Sequence, residues 1–281
     1  ALLWPNGPVC PFCGNMDRIG RLNGKTTRPG LRKCYACLKQ FTVKVGTIFE
    51  DSHAPLRLWL QAIYLMCSSK KGVSTRQLHR TLGVGLKTAW FMGHRIRHAM
   101  APGSMAPLGG EGVTVEADET YLSKSPKTRK PAGLPLNAKP APMVFSLVER
   151  GGNIRSMYLD HRNVRHALNE HLDFDSRLVT DGSNTYRFVM PHPSQHESVD
   201  HSKREWVRGD VHTNTLEGFF SIFKRGLVGV YQHMDNKHLH RYLSEFDFRM
   251  NTCAKLGIND TQRAAMAVEG FKGKRLTYAA S

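Results

Sequence analysis

Cys10 and Cys13 in "CPFC", and Cys34 and Cys37 in "CYAC", form two C-x-x-C pairs with 20 residues between them. Each pair has the reach for two thiolates to share one tetrahedral Zn²⁺. Four protein ligands leave no open position for a reacting water, so a zinc held here is structural. A redox C-x-x-C needs one pair in a βαβ setting, not two pairs flanking a basic loop. Cys67 and Cys253 stand alone and read as small apolar residues.

The second set of reactive groups is acidic. Asp118 lies in "VTVEADETYL", Asp181 ends "RLVTD", and Glu217 sits in "HTNTLEGFFSIFKRG", with 35 residues between the last two. Hard divalent cations want oxygen ligands, and carboxylates can hold two Mg²⁺ ions about 4 Å apart. Such a pair activates a water or 3′-hydroxyl and stabilises the leaving oxygen of a phosphodiester. Spacing alone decides nothing, because the 171 residues after Gly110 carry 20 acidic side chains. Asn214-x-x-Glu217 also fits a helix capping box, which gives Glu217 a purely local task. Lys224 lies seven residues on, about 20° from the Glu217 face of a helix. His192, His196, His201 and His212 show no helical ligand spacing and do not read as a catalytic zinc site, although His212 is placed to meet a phosphate.

These groups need elements to hold them. The segment between the knuckles, "RLNGKTTRPGLRK", reads as short strands and Gly/Pro turns, and "KQFTVKVGTIF" as a continuing strand; together they predict a zinc ribbon over 1–50. "APLRLWLQAIYLMCSSKKG" spaces Leu56, Trp59, Leu60, Ile63, Tyr64 and Met66 as an amphipathic helix. Ser74 is a good N-cap for a helix through Leu82, Gly83-Val84-Gly85 makes a turn, and a second helix follows over 86–100. Two helices around a tight turn resemble a helix-turn-helix over 51–100, which puts His94 and the DNA-contact candidates Lys87, Thr88, Arg95 and Arg97 on or beside the second helix. "APGSMAPLGGEG", residues 101–112, reads as a linker.

After it the pattern changes. "VTVEADETYL" alternates, "MVFSLVE" and "IRSMYLD" flank the turn "RGGN", "NVRHALNEHL" is a short helix, and "RLVTD" is a fourth strand. Three strands, a helix, a fourth strand and a later helix bearing a carboxylate describe a ribonuclease H-like α/β domain over 113–260, with 261–281 as a tail. In that layout the strands of Asp118 and Asp181 are neighbours.

Charge agrees with this division. Residues 1–110 carry 16 Lys/Arg against 3 Asp/Glu, and residues 111–281 carry 24 against 20. A front half at +13 suits a polyanion such as DNA; the back half is nearly neutral. No run approaches the roughly 18 apolar residues of a membrane span, so a cytoplasmic, nucleoid-associated protein is the expectation.

Taken together, "CPFCG", "GTIFEDS", "SSKKGVSTRQL", "LKTAWFMGHRIR", "EADETY", "VTDGSNTY" and "HTNTLEGFFSIFKRG" resemble, in order and spacing, the zinc-ribbon branch of DDE-type insertion-sequence transposases, called ISXO-two-like. The resemblance implies a domain that cuts and joins double-stranded DNA with Mg²⁺ or Mn²⁺, acting as a homo-oligomer on element ends and target. It carries the metal role onto Asp118, Asp181 and Glu217, with Lys224 as companion base and Asn214 as an alternative third polar residue. A DNA-binding regulator derived from a transposase, and a two-metal nuclease without strand joining, share most of these features. The three carboxylates, all in place, favour the enzyme over the regulator.

Overall fold

The computed structural model describes residues 3–103, 105–122, 143–159, 163–183, 186, 189–190, 192, 195–232 and 234–276. It divides into two compact units, one built from residues 1–101 together with those from 258 onward, the other from residues 102–257.

The front unit opens with an antiparallel sheet of β1 (Ile19–Arg21), β2 (Arg32–Cys34) and β3 (Gln40–Phe41), in the order β1-β2-β3. Its small core consists of Cys10, Cys34 and Phe41, with Trp4 edge-on to Phe41 at 5.9 Å. β3 is much shorter than "KQFTVKVGTIF" suggests. Lys44 Nζ donates to the carbonyls of Ser52 and Ala54, and Gly46 turns the chain at φ +72°, so the segment folds back on itself. Three helices follow: α1 (Leu56–Ser68), α2 (Thr75–Leu82) and α3 (Leu86–Met100). The Ser74 hydroxyl accepts from the Gln77 N–H at 3.2 Å, and Gly83 closes α2 in the left-handed region at φ +64°, which glycine adopts without strain. Residues 261–281 do not read correctly as a tail. Their described part includes most of α7 (Asp260–Glu269), opened by a capping box between Asn259 and Gln262. Arg263 in this helix donates to the carbonyl of Cys67 at the end of α1, so the helix belongs to the front unit's core.

The back unit is a five-stranded mixed sheet of β4 (Thr114–Tyr121), β5 (Met143–Glu149), β6 (Ile154–Leu159), β7 (Arg177–Asp181) and β8 (His196–Val199). The order is β6-β5-β4-β7-β8; β4 runs antiparallel to β5 and parallel to β7. One face packs on α4 (Val164–His171) through Val115, Ala117, Phe145, Leu147 and Leu168. The other meets α5 (Asn214–Gly226) and α6 (Leu239–Asn251), where Leu216, Phe219, Phe220 and Phe223 close on Val144 and Val148. β5 is covered on both faces, which is why "MVFSLVE" is buried from Met143 to Val148 without alternation, Ser146 included. The stretch 101–112 is less of a linker than its composition suggests. Leu108 is buried and bridges to Leu172, Gly109 donates to Glu149, and Gly110 donates to Ser176. At Gly109, φ is +107° and a Cβ would collide with the Ser176 hydroxyl, so only glycine fits there.

Candidate active site and metal centre

The front unit brings Cys10, Cys13, Cys34 and Cys37 together with all four sulfurs within 4.8 Å of one another. The Cys10–Cys37 and Cys13–Cys34 sulfurs are each 3.6 Å apart. A tetrahedron with Zn–S bonds of about 2.3 Å separates its sulfurs by about 3.8 Å, so the four residues fit one zinc ion. The backbone N–H of Cys37, seconded by that of Ala36, acts against desolvation and holds the Cys34 thiol down at about 7. A knuckle turn that aims amides at sulfur favours the thiolate a metal needs.

Strand pairing places Asp118 and Asp181 at one end of the sheet. The parallel β4–β7 register matches Ala117 with Thr180, so the two aspartates are the next residues on adjacent central strands. Asp118 Oδ1 accepts from the Glu119 N–H at 2.8 Å, and Asp181 Oδ1 from that of Ser183 at 3.1 Å. Burial, then the Asp181 carboxylate, pushes Asp118 up to about 7; Glu119 and Glu217 push in the same direction. Burial is the larger cause and the neighbouring carboxylates add to it; a cation held there would act in the opposite direction. Among the described residues, Asp118, Asp181 and Glu217 do not converge within the 4.8 Å that the cysteines satisfy. Two ions about 4 Å apart need a wider set of ligands than one ion does.

Glu217 is exposed, with Oε1 3.9 Å from His201 Nε2. The capping box proposed for it is absent: the N-cap of α5 is Thr213, with no side-chain bond, and Asn214 is the first residue inside the helix. The capping anion comes instead from a residue the sequence reading passed over. Glu116, fully buried on β4 two residues before Asp118, accepts from the N–H of Thr215 at 3.0 Å, the N–H of Leu216 at 3.3 Å and the Thr215 hydroxyl at 2.9 Å. Arg150 in the β5–β6 turn donates Nε to the same carboxylate at 2.9 Å and Nη2 to the His212 carbonyl at 2.8 Å. A buried anion at a helix N-terminus meets both unpaired amides and the positive end of the helix dipole. It ties the helix of Glu217 and Lys224 to the strand of Asp118. The sequence signal was available: Glu116 alternates onto the face of Asp118, the side on which α5 packs.

The histidines form no common cluster among the described residues. His196 Nε2 pairs with the Thr180 hydroxyl at 2.9 Å. His212 Nδ1 lies 3.3 Å from Arg150 Nη2 and 3.4 Å from the Asn214 N–H, so that nitrogen belongs to the clamp around Glu116.

Two of the predicted DNA contacts are corrected. Arg95 and Arg97 are 3% and 2% exposed, and His94 is buried as well. Arg95 donates Nε to the Leu276 carbonyl and Nη1 to those of Ile48 and Glu50, stitching α3 to the chain before α1 and after α7. Periodicity places both arginines on α3, but only packing reveals that they face inward. Lys87 and Thr88, at the start of α3, are exposed.

A ribbon whose four cysteines could hold a metal ion, ahead of an α/β unit with carboxylates on neighbouring central strands, defines a protein of two modules. Residues 1–40 match the transposase zinc-ribbon domain, and residues 107–251, just over half of the chain, match the ISXO2-like transposase domain. The chain therefore belongs to the ISXO2-like transposase family. An "uncharacterized protein in transposable element ISH50" of Halobacterium salinarum is 28% identical to it over 270 residues, which is 90% of this chain and 89% of that protein.

Proposed function

We propose that the chain is a transposase that cuts and joins DNA strands at the ends of an insertion element, with Asp118, Asp181 and Glu217 as the ligands of two divalent cations. The observation that carries this reading is the placement of Asp118 and Asp181 side by side on paired central strands, where burial raises the Asp118 carboxyl and the Asp181 carboxylate adds to it. The strand order, with its two antiparallel and two parallel pairings, supports a ribonuclease H-like domain. When bound, Mg²⁺ or Mn²⁺ supplies an activated hydroxyl and stabilises the leaving oxygen. Asp118, Asp181 and Glu217 would hold the ions, and Lys224, exposed two turns along α5, would hold a phosphate. Cys10, Cys13, Cys34 and Cys37 bind structural Zn²⁺. The front unit, with Lys87 and Thr88 at its surface, binds duplex DNA, and two or more copies assemble on the element ends. No described helix is long and apolar enough to cross a membrane, which fits a nucleoid-associated role.

The test is strand transfer by purified protein on a plasmid carrying the element ends, with Mg²⁺. Wild-type protein should give joined products. Asp118→Asn and Asp181→Asn should reduce them by orders of magnitude while DNA binding persists. Glu217→Gln should behave like them and Asn214→Ala should not; the reverse outcome gives Asn214 the third place. Full activity in Asp118→Asn would end the proposal.

A further inference from the structure

The segment between β8 and α5 sets an open aromatic ring on His201, which in turn faces Glu217. Trp206 is 57% exposed, and its indole lies over the His201 imidazole with centroids 4.6 Å apart and planes 34° from parallel. His201 Nε2 faces Glu217 Oε1 at 3.9 Å and is buried without a hydrogen-bond partner. The turn before the ring is closed on itself: the Glu205 N–H donates to the Asp200 carbonyl at 3.1 Å, and Asp200 Oδ1 accepts from the Ser202 N–H at 3.0 Å. The turn that carries the indole is therefore fixed, and most of the ring's surface is open.

Cations lie close to it along the chain. Lys203 and Arg208 stand three and two residues away, with side chains 80% and 54% exposed, and each is paired with an acid of the same segment. Their pairings with Asp200 at 3.3 Å and Glu205 at 3.6 Å are surface contacts, which are weak and can yield to a phosphate. An open indole in a segment that also exposes Lys203 and Arg208 matches the way single strands are held, with bases stacked on rings and phosphates on cations. A protein partner would not account for those cations so directly.

We propose that Trp206 is a stacking platform for an unpaired or end-exposed nucleobase of the strand being processed, with His201 positioning the indole. This deepens the function proposed above, because it places the stacked base beside Glu217. An indole can stack only where the face of a base is uncovered, as at a frayed end, a nick or a flipped nucleotide.

The experiment uses the full zinc-loaded chain without added Mg²⁺ and two labelled DNAs, a short blunt duplex and the same duplex ending in a few unpaired thymidines. Wild-type protein should bind the tailed DNA several-fold more tightly. Trp206→Ala should lose about tenfold on the tailed DNA alone, and Trp206→Phe should retain most of the preference. A 2-aminopurine in the tail should be quenched by wild-type protein and not by Trp206→Ala. Because the ring is exposed, both variants should melt like wild type. The proposal is overturned if Trp206→Ala keeps the tail preference and the quenching. It is also overturned if both DNAs weaken equally, or if the variant only shifts the chain from assembly to monomer in sedimentation, which would make the ring a protein contact. Binding without Mg²⁺ requires no cleavage, so a Trp206-dependent preference in a chain that never joins strands would sink the transposase reading and leave this one standing.

Discussion

Asp247 is a carboxyl whose chemistry departs far from its type, outside the candidate site. It lies buried on α6, with Oδ2 accepting from the Ser156 N–H at 2.7 Å and Oδ1 without a partner. Desolvation pushes its carboxyl up to about 7, against the Ser156 contacts and Arg155, which pull it down. A carboxyl with a raised folded pKa contributes stability that is complete below the unfolded value near 3.9 and is lost as pH rises toward the folded value. Between pH 5 and pH 7 the wild-type back unit should therefore lose about 1.4 kcal/mol per pH unit relative to Asp247→Asn, whose amide oxygen still accepts from Ser156. Paired urea melts at the two pH values measure this; parallel behaviour would mean that Asp247 is ionised in the fold. At this scale the sequence was only partly legible. The clustering of the four cysteines was legible in their spacing, and the pairing of the strands that carry Asp118 and Asp181 in the strand pattern. Arg95 and Arg97 misled because a basic residue on a basic helix looks solvated until the packing around it is known.

Among the elements, the most informative contact is the one between β4 and α5. Glu116 satisfies two N-terminal amides of the helix and Arg150 together, so its removal unpairs the buried helix end and leaves the half-buried Arg150 guanidinium with its His212 contacts alone. Glu116→Ala should destabilise the back unit by about 3–5 kcal/mol, and Glu116→Gln, which keeps shape and one acceptor, by clearly less. Chemical denaturation decides it, and a neutral Glu116→Ala would show that the helix is held by Leu216 and the phenylalanines alone. A similar device protects the edge strand β6. Asn251 accepts from the Ile154 N–H at 2.7 Å and donates to its carbonyl at 3.0 Å, replacing a neighbouring strand. Strands and helices with strong periodicity or caps, such as α2, α3 and β4, were readable from the chain. The short β3, the built-in stretch at Leu108–Gly110 and the docking of α7 were not, because side-chain bonds between residues distant in sequence decide them.

For the whole molecule, the division of labour is testable through its metals. Cys34→Ser leaves three ligands for the structural zinc, so the variant should lose its tightly held ion and most of its duplex affinity, while the back unit melts as before. Metal analysis with a gel-shift titration reads both, and a variant retaining full zinc content would contradict the four-cysteine site. The central claim is that Asp118, Asp181 and Glu217 work through divalent cations, one of which stabilises the leaving oxygen. The most direct measurement replaces that 3′ oxygen by sulfur at the scissile bond of an element-end DNA and compares Mg²⁺ with Mn²⁺. Sulfur is a poor ligand for Mg²⁺ and a better one for Mn²⁺, so the sulfur-containing strand should be cut poorly in Mg²⁺ and recover in Mn²⁺, while the ordinary strand is cut in both. Cleavage of the sulfur-containing strand that is equally fast in the two metals, or that proceeds with neither, would contradict the account.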